Sequence, residues 1–85
     1  MINQLLQGKK GIIFGALDEK SIAWQVALKA HEAGARFTLS NTPTAIRFGT
    51  IEQLAELCHA EIIPADATET TDLETVFGRS MEILG

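Results

Sequence analysis

The sequence predicts an α/β fold of three short parallel strands alternating with helices, in the order βαβαβα. Three observations predict it. The runs KGIIFG, RFTLS and AEIIPA are short and apolar or β-branched, as strands of a buried sheet are. The segments between them carry apolar residues at helical spacing. Connections of that length between short apolar strands imply parallel pairing through right-handed crossovers. The expected strand order is 3-2-1, with the helices packed on the sheet.

The first strand is expected over Lys10 to Gly15, fully apolar between its ends. SIAWQVALKAHEAGA then reads as a helix, with Ile22, Val26, Ala30 and Ala33 as its apolar stripe. Ser21 suits its N-cap, and Gly34 suits a left-handed residue past its end. The second strand spans Arg36 to Ser40. Thr42-Pro43 opens a helix with proline at the first helical position. Gly49 interrupts it. Thr50 and Gln53 have capping-box spacing for the continuation, which places Ile51, Leu54, Ala55 and Cys58 on one face. The third strand spans Ala60 to Ala65, with Pro64 near its end because proline cannot donate to the ladder. Thr71 and Glu74 show capping-box spacing again, followed by Leu73, Val76, Phe77 and Leu84 along a helix face. Gly78 weakens that helix by about 1 kcal/mol relative to alanine.

The first two crossovers share one face of such a sheet, which leaves the other face only the last helix. A parallel sheet normally has both faces covered. The expectation is a piece of a larger, doubly wound domain whose next strand pairs with the first.

Composition narrows the function. The chain has 85 residues, 46% of them hydrophobic, so it is globular rather than disordered. Its net charge of −4 argues against a nucleic-acid footprint. No polybasic stretch points to a membrane surface, and no apolar run suggests a span or a signal peptide. A lone cysteine, Cys58, allows no internal disulfide framework or cysteine metal cluster, which fits the cytoplasm. It falls on an apolar helix face and reads as a core thiol. His31 and His59 have no partner at metal or catalytic spacing and read as surface residues. Trp24 reads as structural.

The chemistry concentrates in GIIFGALDEKSIAW. A strand end, a glycine turn and a helix N-terminus bring unpaired N–H groups and a positive dipole end to one spot. A dinucleotide fingerprint has three glycines there; this loop has only Gly15. Two readings stay open: Gly15 and Ser21 hold an anion, or they turn and cap the chain. Asp18 and Glu19 count against the anion unless they face solvent. Ala23, Ala27 and Ala30 allow close helix packing where the third glycine normally does. After the second strand, where an acid often binds ribose, stand Ser40, Asn41 and Thr42. Arg47 reads as solvated, with a 2′-phosphate as its alternative partner. Asp66-Ala67, after the third strand, suits either an adenine amino group or a turn.

GALDEKSIAW resembles the nucleotide loop of the NADH-dependent enoyl-acyl-carrier-protein reductases, within the short-chain dehydrogenase/reductase superfamily. LLQGKKGIIFG, HEAGARFTLSN, IIPADAT and DLETVFGRSMEILG resemble the same family's adjoining strands and helices, so the similarity runs over essentially the whole chain. It implies a Rossmann-type fold, with residues 1–85 as the N-terminal half of the dinucleotide-binding domain. It implies that Gly15, Ser21 and Ile22 hold the pyrophosphate and nearby ribose. Asn41 and Thr42 would lie against the adenosine ribose, and Asp66 and Ala67 against adenine. The implied cofactor is NAD(H), with NADP(H) still open. The implied substrate is a trans-2-enoyl thioester on acyl carrier protein, reduced in fatty-acid elongation. The full-length protein would be a cytoplasmic homotetramer with neither nucleic acid nor membrane as partner. The family's catalytic tyrosine and lysine lie beyond the equivalent of Gly85, and this chain has no tyrosine. No catalytic residue and no metal ligand is therefore assigned here. The alternatives are another short-chain reductase, or a non-catalytic βα module of the receiver type with Asp66 as phosphoacceptor.

Overall fold

The computed structural model describes residues 6–85. The start of the opening segment, including Leu5 of the resembling stretch, lies outside them. The element order is β1 (Lys10–Phe14), α1 (Ile22–Glu32), β2 (Arg36–Asn41), α2 (Pro43–Phe48), α3 (Ile51–Cys58), β3 (Ile62–Pro64) and α4 (Thr70–Leu84). The three strands form one parallel sheet in the order β1-β2-β3, as expected. β2 is the central strand: Lys10 is opposite Arg36 and Phe14 opposite Ser40 on one side, and Asn41 is opposite Pro64 on the other.

Alternation along β2 sorts the two faces. Phe37 and Leu39 point to a core shared with Trp24 and Ala27 of α1 and Ile51, Leu54 and Cys58 of α3. Ile63 and Val76 build a smaller core with Ile12, Phe14 and Ile83 on the other face, where α4 lies. That face of β2 is polar. Buried Thr38 Oγ1 and Ser80 Oγ of α4 share a hydrogen bond of 2.7 Å, and Ser40 Oγ donates to the Ile63 carbonyl at 2.7 Å. No buried side-chain polar atom among the described residues lacks a partner.

The local signals hold where they concern a backbone need. Ser21 Oγ accepts the Trp24 N–H and caps α1, and Pro43 occupies the first turn of α2. Gly34 has φ +93°, and Pro64 closes β3. Neither capping box forms. Thr50 makes no side-chain cap, and α4 starts at Thr70, ahead of Thr71, with Glu69 at its N-cap position. The apolar stripe expected for α1 is also corrected. Ile22 is 83% exposed and Val26 50%, while Trp24 and Ala27 are buried. Burying the larger indole surface outweighs burying the aliphatic stripe. Phe77, read on one helix face with Leu73, Val76 and Leu84, is half exposed; Ser80 takes the inward position beside Thr38.

The Thr38–Ser80 pair sets where α4 sits along β2. Thr38→Val or Ser80→Ala alone strands the other hydroxyl and is expected to cost about 1–3 kcal/mol in urea denaturation. The double variant is expected to cost less than the two single losses added together. Additive losses would show that the two hydroxyls are not coupled.

Candidate functional site: the carboxyl end of the sheet

Parallel pairing brings three chain reversals side by side at the carboxyl end of the sheet. The Gly15 N–H donates to the Ser40 carbonyl (2.9 Å), and the Ala65 N–H donates to the Asn41 carbonyl (2.9 Å). The turn after β1, the β2–α2 junction and the turn after β3 therefore begin in step. This crevice is where open α/β sheets take ligands.

Gly15 starts the first turn at φ +88°, a conformation that favours glycine. A Cβ built on it would meet nothing within 4 Å, so the space before it is open. Ser21 closes the turn. Its Oγ accepts the N–H groups of Leu17 and Trp24 (both 3.3 Å) and donates to the Asp18 carbonyl (2.8 Å). The hydroxyl thus serves the turn and the cap together. Ile22 opens α1 and faces solvent. The N–H groups of Ile22 and Ala23, at the open end of the helix, have no acceptor among the described residues. Asp18 does not aim its carboxylate at them: Oδ1 accepts the Lys20 N–H at 2.9 Å. Glu19 is exposed.

Asn41 and Thr42 work on the backbone. Asn41 Nδ2 donates to the Ala16 carbonyl (2.9 Å), and its Oδ1 accepts the Thr42 N–H (2.8 Å). Asn41 thereby ties the end of β2 to the turn after β1. Thr42 Oγ1 caps α2 by accepting the Ala45 N–H (3.2 Å), which leaves its own proton for a further acceptor. The turn after β3 is organised by two aspartates. Asp66 Oδ1 accepts the Thr68 hydroxyl (2.7 Å) and N–H (2.9 Å), and Asp72 Oδ2 accepts the Asp66 N–H (2.8 Å). Ala67 lies exposed at the tip.

Two residues in this region carried no site signal in the sequence. The Thr50 N–H donates to the Leu17 carbonyl (2.9 Å), which seats the first turn on the α2–α3 junction, and Gly49 lies against Leu17 there. A glycine between two helices reads as an interruption until the fold brings Leu17 against it. The other candidates lie elsewhere. His31 and His59 sit at the far ends of α1 and α3, with ring centroids 6.0 Å apart. Cys58 is buried, which pushes its thiol above the ordinary range and keeps it protonated, a packing group. No cluster of three metal-ligating side chains occurs among the described residues.

The Thr68 hydroxyl first, and then its N–H, hold the Asp66 carboxyl below its ordinary value. A lowered folded-state value stabilises the turn above the unfolded value, and that stabilisation is lost as pH falls through the folded one. A carbon-detected NMR titration is expected to place Asp66 below an ordinary aspartate. Thr68→Ala, which removes the larger cause, is expected to move it up. A titration unmoved by Thr68→Ala would show that the hydroxyl does not hold the carboxylate.

Comparison with known proteins fits this geometry. The family model described as enoyl-(acyl carrier protein) reductase matches residues 15–85. The Bacillus subtilis enoyl-[acyl-carrier-protein] reductase [NADH] FabI is 30% identical over 99% of this chain and 33% of its own length. The FabI–NADH complex from Alistipes finegoldii superposes with a TM-score of 0.91 at 56% identity, over 93% of this chain and 28% of that one. The Bacillus cereus reductase, solved with NADP+ and indole naphthyridinone, superposes with a TM-score of 0.80 at 27% identity, over 93% and 32%. The chain thus spans about one third of the length of the relatives it matches. With the family model taking in every reversal at the carboxyl end of the sheet, the chain belongs to the enoyl-(acyl carrier protein) reductase family.

Proposed function

We propose that residues 1–85 are the N-terminal half of a dinucleotide-binding domain and hold the adenosine and pyrophosphate part of NADH. The full-length protein is then an enoyl-acyl-carrier-protein reductase. One observation carries the reading: the turns at Gly15, Asn41 and Asp66 start in step along the carboxyl end of a parallel sheet, beside the open N-terminus of α1. The donor set suits a pyrophosphate. It is the free N–H groups of Ile22 and Ala23 and the positive end of the helix, with open space before Gly15. The Asp18 carboxylate, which would repel an anion, is turned onto Lys20.

In this reading Gly15, Ser21 and Ile22 hold the pyrophosphate and nearby ribose. Asn41 and Thr42 lie at the adenosine ribose. Asn41 acts there through the turn it braces, and Thr42 through its unused hydroxyl proton. Asp66 and Ala67 border the adenine. When bound, the nicotinamide supplies a hydride to the β-carbon of a trans-2-enoyl thioester. The residues that deliver the proton lie outside this chain, which has no tyrosine. The substrate is carried by acyl carrier protein, and a cytoplasmic homotetramer goes with the reading. No helix among the described residues is long and apolar enough to cross a membrane.

NADPH is a second reading with its own observation. No acid follows β2 to meet a ribose 2′-hydroxyl, and Arg47 is exposed on the neighbouring α2. Dissociation constants for both cofactors decide between them; the expected order is NADH tighter than NADPH.

The full-length chain is expected to oxidise NADH with a crotonyl thioester, and absence of that activity in folded protein sinks the enzyme reading. Ser21→Ala frees the turn and the cap that hold the start of α1 and is expected to raise the NADH dissociation constant several-fold, about 1 kcal/mol. Lowered stability with unchanged NADH affinity would make Ser21 a cap alone.

A further inference from the structure

We infer that Gly49 is a positioning residue for the turn after β1, giving it a side-chain-free seat at the α2–α3 junction. The inference rests on the dinucleotide reading above and adds a residue to it. A Cβ built on Gly49 would lie 2.5 Å from the Leu17 carbonyl oxygen, 2.8 Å from the Ala45 carbonyl oxygen and 2.8 Å from Leu17 Cδ1. Two of these neighbours are backbone atoms that cannot rotate aside. Both are also held: the Leu17 carbonyl by the Thr50 N–H (2.9 Å), the Ala45 carbonyl by the Gly49 N–H (2.8 Å). Any side chain at position 49 must displace the turn or the end of α2.

The need is for closeness, not for an unusual dihedral. Gly49 has φ −95° and ψ −170°, which any residue adopts. Gly15 is the converse, with a φ of +88° and open space around it. The two glycines divide the work a glycine-rich loop does within itself. Gly15 turns the chain, and Gly49 lets the turn sit close from the opposite side.

The consequence reaches the anion end of the site. The Leu17 N–H donates to Ser21 Oγ, and Ser21 caps α1. Pushing Leu17 outward therefore disturbs the cap and shifts the open N–H groups of Ile22 and Ala23. The Asp66–Ala67 turn is tied to β2 and to Asp72, and has no hydrogen bond to this seat. A side chain at position 49 should thus harm recognition of the diphosphate far more than recognition of the adenosine.

The test measures NADH, ADP and adenosine affinities in the full-length protein, with melting temperature recorded separately. Gly49→Ala is expected to weaken NADH and ADP about tenfold and adenosine less than about twofold. Gly78→Ala, whose added Cβ meets nothing within 4 Å, is the control expected to leave all three unchanged. Equal weakening of the three ligands, or undiminished ADP binding in folded Gly49→Ala, overturns the inference. A wild-type protein that binds neither NADH nor ADP overturns the dinucleotide reading and this one with it. Should Gly49→Ala not fold, an amide-to-ester replacement at Thr50 removes the N–H that holds the Leu17 carbonyl and lets the backbone keep its φ of −115°. The same selective loss of diphosphate ligands then supports the seat, and uniform loss refutes it.

Discussion

The structure depends on β2 being paired on both sides. β1 and β3 take their register from it, so the chain leaves all three strands at the same level. β2 also divides the interior. Phe37 and Leu39 anchor the larger core under α1 and α3, while Thr38 and Ser40 turn the other face polar under α4. A one-residue slip would exchange these sets, burying hydroxyls among apolar side chains and leaving phenylalanine against Ser80. Burial on both faces therefore fixes the register, and the register fixes the crevice.

At the crevice, the polar side chains are mostly committed to the protein itself. Ser21 binds three backbone groups, Asn41 two, and Asp66 both donors of Thr68. What they leave open is backbone, the N–H groups at the start of α1. That suits a diphosphate. Backbone donors carry no counter-charge to be desolvated and are aimed by the helix, so they cost little reorganisation when an anion arrives. The side chains contribute by holding that backbone still. A turn with a single glycine can do this because it is braced from outside, by Asn41 on Ala16 and by Thr50 on Leu17.

Much of this was legible in the residues, and the failures share a cause. The strands were read to within two residues at each end, and Gly34, Pro43, Pro64 and Ser21 hold their expected places. Each of these signals states a need of the local backbone. The misses concern which of two apolar faces wins. Helix α1 has apolar residues most of the way round, so periodicity could not tell Ile22 and Val26 from Trp24 and Ala27. Thr50 and Thr71 matched a spacing that the chain's entry into each helix did not use. Gly49 reads as the break between two helices, which it is, but not as a seat for the turn, because its partner Leu17 is near only in the folded chain.

The surfaces left apolar are informative in their placement. One patch runs from Leu6 along Ile22, Val26, Ala30 and Ala33, with Ile22 and Val26 exposed. Another is Phe77 and Met81 of α4 over Gly11 and Ile12 of β1. Among the described residues β1 pairs on one side only. Exposed aliphatic and aromatic side chains beside an unpaired parallel strand are a poor arrangement in water, because such a sheet normally buries both faces and does not offer a bare edge. In the proposed half-domain, a further strand on β1, with its crossover helices, would cover that edge and both patches together. The same strand would lay its own carboxyl end beside Gly15. The side of the crevice still open here, next to the first turn, is therefore where the reacting half of the cofactor would extend.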